Sequence, residues 1–122
     1  MIQKFQIDGW HPISVNKMFA MHWAKRGKMK KQDAVIVQLE GLSKNITQAK
    51  GKRIVRVTIV LGPKQKRPPD DDNLRKSLQD ALVKAGYLID DSAKFSTFEP
   101  FVYLRGPQKA TIIELEDAGD NL

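Results

Sequence analysis

The chain has no cysteine among its 122 residues. That excludes disulfides and thiolate metal sites, and it fits a reducing compartment. An apolar signal segment is also missing, as is any hydrophobic run long enough to span a bilayer. A cytoplasmic protein without a membrane partner is therefore expected. His11 and His22 are the only histidines, and each reads as a loop residue rather than a catalytic base. No Ser-His-Asp triad can be argued, and the glycines form no phosphate-binding loop. With no repeats and no linker, a 13.8 kDa chain suits one compact domain over residues 1–122.

Acid is scarce where base is plentiful. Lys plus Arg number 21 against 14 Asp plus Glu, a formal net charge of +7 with a pI near 9.7. From His22 to Arg67 the sequence holds thirteen basic residues, opposed only by Asp33 and Glu40. The tail instead carries Glu114, Glu116, Asp117 and Asp120. Such an excess favours polyanions, nucleic acid first among them, although many basic proteins are only well solvated.

The expected element order is β-α-β-α-β-β, an α/β (α+β) domain with helices packed on a mixed sheet. Ile2 to Ile7 alternates as a first strand. His11 to Lys31 reads as a polar, basic loop, with Ser14 and Asn16 as turn or capping residues. Trp10, Phe19 and Trp23 lie in or beside it; they could stack on bases, but more often such residues cover a core edge or an interface. Lys31 to Lys44 reads as a helix with Ala34, Val35, Val37 and Leu42 as its apolar side. Ile54 to Leu61 follows as a largely buried strand. The clearest helix runs from Asp71 to Ala85, where Leu74, Leu78, Ala81, Leu82 and Ala85 form one stripe and Gly86 gives the stop. Phe95 to Leu104 and Thr111 to Leu115 look like two strands of a hairpin turning at Arg105-Gly106-Pro107.

Chemistry concentrates between Arg67 and Asp91. Asp70, Asp71 and Asp72 open the helix, and Asp90-Asp91 follow its far end. Phosphodiester cleavage uses a hard cation, and Mg²⁺ takes oxygen ligands. Asp72 and Lys76 lie about 40° apart around the helix, one turn from each other and away from the leucine stripe. A carboxylate for a metal and an ammonium for a phosphate would then share one accessible face. Against this stands a plain structural role. Aspartates at a helix start cap free N–H groups and complement the helix dipole, and Asp72–Lys76 is an ordinary i,i+4 pair. Three adjacent carboxylates repel more than capping requires, which favours a cation.

These residues resemble the RusA family of crossover-junction endodeoxyribonucleases, found in bacteria and phages. The likeness rests on Asp70-Asp71-Asp72-Asn73-Leu74, Lys76, Asp80-Ala81-Leu82, Lys84-Ala85-Gly86-Tyr87 and Asp90-Asp91, and more weakly on Pro12 to Asn16. It implies a RusA-like homodimer that resolves four-way (Holliday) junctions in DNA recombination and repair. Symmetric nicks would be made with Mg²⁺, or Mn²⁺ in its place. Asp70, Asp72 and Asp91 would be the metal-binding catalytic carboxylates, with Asp90 assisting and Lys76 as the functional lysine. Lys25, Arg26, Lys28, Lys30, Lys31 and Arg67 would contact DNA. A bacterial or prophage origin follows from the resemblance alone. Two other functions fit the residues: a non-catalytic basic module that binds nucleic acid, and a metal nuclease for other branched substrates.

Overall fold

The computed structural model describes residues 1–118; Asp120 lies outside them. The elements run β1 (Ile2–Asp8), α1 (Val15–Phe19), α2 (Trp23–Ser43), β2 (Arg53–Leu61), α3 (Asp71–Ala85), β3 (Ser96–Phe98), β4 (Val102–Arg105) and β5 (Ala110–Asp117). They build a single α+β domain around a mixed five-stranded sheet. β5 lies between β1 and β2 and is antiparallel to both, while β3 and β4 share the other edge of β2 and run parallel to it.

One face of the sheet carries the core, and register sets which residues line it. Val55 faces Leu115, Val57 faces Ile113 and Ile59 faces Thr111, with Phe5 and Ile7 continuing the rows on β1. All of these are buried. Their strand neighbours Ile54, Arg56, Thr58 and Val60 are only half-buried. β2 thus alternates, whereas its apolar run suggests burial on both faces. On the open face Arg56 binds Glu99, Glu114 and Glu116 at 2.7–3.1 Å, so these charges are committed to one another.

α3 follows the sequence pattern residue for residue. Leu74, Leu78, Ala81, Leu82 and Ala85 are all buried. Gly86 ends the helix at φ 87°, a left-handed conformation that favours glycine. α2 packs beside α3 through a close approach at Gly41, where a Cβ would overlap the Tyr87 ring. The Tyr87 hydroxyl donates to the Gln38 carbonyl at 2.9 Å.

Four expectations are corrected. The basic stretch from Lys25 to Lys31 is the first half of α2, not a loop, and α1 precedes it. Apolar spacing is nearly absent there; the helix is held instead by its buried side, Asp33, Val37 and Gly41, one turn apart each. Val35 and Leu42, expected on the apolar side, are exposed. The segment Phe95 to Leu104 is two short strands with Pro100 between them, since proline has no N–H for the ladder. Finally, β4 and β5 do not form a hairpin, because β2 lies between them.

Candidate functional site

α3 begins immediately after the Arg67-Pro68-Pro69 segment, and its first turn sorts three aspartates into different roles. Asp70 is the N-cap residue but makes no side-chain cap hydrogen bond and is exposed. Asp71 is tied down: its Oδ2 accepts from the Phe101 N–H at 2.7 Å and its Oδ1 lies 2.8 Å from the Tyr103 hydroxyl. That hydroxyl also lies 2.6 Å from the Pro69 carbonyl, so one proton serves two acceptors. Burial, and then the Asp71 carboxylate, push the Tyr103 hydroxyl well above the usual tyrosine range. Asp72 has a side chain 90% exposed and makes only a 3.5 Å ion pair with Arg75. Pairs this loose and this wet contribute little.

The far acidic pair returns to the same helix. After Gly86 the chain folds back, and the Gln79 side-chain amide donates to the Asp91 carbonyl at 3.1 Å and to Ser96 Oγ at 3.0 Å. Gln79 is seven residues after Asp72, within about 20° of it around α3, and Lys76 falls between them. Asp72, Lys76 and Gln79 therefore share one face, with Asp91 beside its far end. The sequence analysis missed Gln79, although its spacing from Asp72 and Lys76 carries the signal. It also missed Tyr103, for which no local signal exists.

Asp90 and Asp91 interact strongly. The Asp91 N–H donates to Asp90 Oδ1 at 2.6 Å. Hydrogen bonding between the two carboxyls holds Asp90 below the usual carboxylate range and lifts Asp91 above it, with Asp80 adding a smaller repulsion. A nearby cation would favour the doubly ionised pair.

The donor chemistry suits Mg²⁺, since every candidate ligand is a carboxylate oxygen. The three expected carboxylates are not gathered, however. Among the described residues no group of three or more His, Cys, Asp or Glu side chains stands close enough to hold a metal ion. Along α3, Asp72 and the residue that anchors Asp91 are about 10 Å apart.

The basic residues divide in the same way as the aspartates. Arg53 is only 2% exposed and donates to Asp117, Thr47 and Tyr87. Lys25, Lys28 and Lys31 stand exposed on the first half of α2, with Arg26 and Lys30 half-buried. Arg67 is exposed on the loop leading to Asp70. Arg105 holds that loop by donating to the carbonyls of Gln65 and Lys66.

The histidines and tryptophans also separate. His11 Nε2 faces the Val60 carbonyl at 2.8 Å, and burial lowers its pKa. His22 caps α2, its Nδ1 accepting from the Ala24 N–H. Trp10 packs against the core and donates to Asp33, whereas Phe19 and Trp23 are 67% and 72% exposed. No helix among the described residues is long and apolar enough to cross a membrane. Compared with models of known protein families and with curated proteins, the chain matches none.

Proposed function

We propose that the protein is a structure-selective DNA endonuclease, of the kind its RusA-like motif implies, acting on four-way junctions as a homodimer. The observation that carries the reading is the exposed face of α3. It presents Asp72 and Lys76, carries the anchor of Asp91 at Gln79, and starts beside Asp70. These side chains have few internal partners, unlike Asp71. Charges that folding does not use are available to a substrate.

In this reading Lys25, Lys28, Lys31 and Arg67 hold DNA phosphates, a contact whose strength falls with salt. Lys76 meets the negative charge that builds on the scissile phosphate. Asp70 and Asp72 at the start of the α3 face, and Asp90 and Asp91 at its far end, are the carboxylates that would hold Mg²⁺ or Mn²⁺, and they would have to draw together on the ion, since they are not gathered without it. When bound, such an ion polarises a phosphoryl oxygen and acidifies a bound water. Two copies related by a two-fold axis suit a substrate that receives two symmetric cuts.

The deciding experiment is cleavage of a labelled immobile four-way junction against linear duplex, with Mg²⁺ or with EDTA. Paired symmetric nicks confined to the junction and abolished by EDTA are expected. Tight binding with no cut in Mg²⁺ or Mn²⁺ would replace the reading with a non-catalytic nucleic-acid-binding module.

A further inference from the structure

A cavity of about 650 Å³ opens between the loop after β1, α2 and the loop 62–69. Its size is that of a small-ligand site. Trp10 and Leu74 give it apolar walls, and Lys17, Arg67 and Lys109 bring positive charge to its lining. Asp33 also reaches it, a residue only 7% exposed. Asp33 Oδ1 accepts from Trp10 Nε1 at 3.3 Å, which fixes both side chains. A carboxylate accepts about four hydrogen bonds, so this one keeps capacity for a ligand's amino groups.

We propose that this cavity takes one unpaired nucleotide of the DNA, base inward against Trp10 and Asp33, phosphate among Lys17, Arg67 and Lys109. The proposal rests on the nuclease reading and deepens it. Position argues for it: the wall formed by Arg67, Pro68 and Pro69 runs directly into Asp70, and Leu74 belongs to the first turns of α3. A strand with one base in the cavity would carry an adjoining phosphate toward the exposed face of α3. Charge argues for it too, since three cations line a cavity whose one carboxyl is buried. The occupant is an unpaired nucleotide because a base inside a duplex is stacked and paired, while a branch point releases bases at the lowest cost.

The test uses two fluorescein-labelled single-stranded pentadeoxynucleotides, one with an adenine at its centre and one abasic there. Binding is read by anisotropy for wild type, Gln32→Trp and Asp33→Asn, and junction cutting by wild type is measured in parallel. Gln32 is exposed on α2 and lines the cavity, so an indole there occupies cavity space while every core residue stays unchanged. Wild type is expected to prefer the adenine strand by about tenfold, with Gln32→Trp losing the preference and Asp33→Asn reducing it. Equal binding of both strands by wild type, or a preference that survives Gln32→Trp, would overturn the proposal. Cutting without base preference removes the nucleotide site and leaves the nuclease. Base preference without cutting does the reverse.

Discussion

Two charged corners of this molecule use similar residues in opposite ways. At the Arg53 corner, a guanidinium that is almost fully buried donates to the Asp117 carboxylate, the Thr47 carbonyl and hydroxyl, and the Tyr87 carbonyl at 2.8–3.1 Å. It ties β2 to β5 and to the turn after α3. At the start of α3, Asp71 is held by Phe101 and Tyr103, but Asp70 makes no cap bond and Asp72 keeps a loose contact with Arg75. Charge at the first corner serves the fold. Most of the charge at the second is left facing solvent, and that is the basis for assigning it to chemistry.

The comparison makes predictions that fall from large to small. Arg53→Ala should lose roughly 3 kcal/mol of stability, because it removes four hydrogen bonds of a buried guanidinium and leaves the buried Tyr87 carbonyl without its donor. Urea unfolding measures it, and a loss below ~1 kcal/mol would show that the corner is not a fold element. Asp71→Asn should cost about 1–2 kcal/mol, since the Phe101 N–H and the Tyr103 hydroxyl lose a charged acceptor. The same change at Asp70 should be near neutral in the same assay. Equal losses at both positions would erase the distinction drawn within the triplet.

Lys31→Ala should leave stability unchanged and weaken junction binding, with the slope of log K against log salt falling by about 0.9. An unaltered slope would remove the first half of α2 from the DNA contact. The smallest effect concerns Asp33, whose carboxyl burial raises above its ordinary 3.8. Between that value and the raised one, the folded state holds more protons than the unfolded chain. Stability therefore falls as pH rises through the window. Asp33→Asn should raise Tm at neutral pH and leave it unchanged below the ordinary carboxylate range. A pH-independent gain would mean the charge is not its cause.

Much of the fold was legible where local signals agreed. In α3 the leucine stripe, the aspartates at the start and Gly86 at the end all point to one helix, and it forms over the expected residues. α2 was half legible. Its buried line of Asp33, Val37 and Gly41 contains a carboxylate and a glycine, so hydrophobic spacing does not reveal it. Glycine is there for a contact with Tyr87, which is 46 positions away in sequence and invisible to a local reading. The expected hairpin failed for the same reason. Arg105-Gly106-Pro107 is a plausible turn, but β2 pairs with both flanking strands and keeps them apart.

The residues of the candidate site could be nominated from the sequence, but their division between fold and solvent could not. Asp72 and Lys76 stand exposed on one face of α3, as their spacing implied, while Asp70 precedes the helix and Asp91 lies on the loop beyond it, near Gln79. Nothing local distinguishes Asp71 from its neighbours. Only the strand that brings Phe101 and Tyr103 across does so. The return of Asp91 to α3 likewise depends on Gln79 and on the position of β3.

The central claim is that the exposed carboxylates at this corner act on DNA and not on the fold. Asp72→Asn tests it most directly, with thermal unfolding, junction affinity and Mg²⁺-dependent junction cutting measured on the same preparation. The account predicts an unchanged Tm and affinity with cutting reduced at least a hundredfold, about 2.7 kcal/mol of transition-state stabilisation. A variant that cuts like wild type, or one that loses Tm and cutting together, would contradict it.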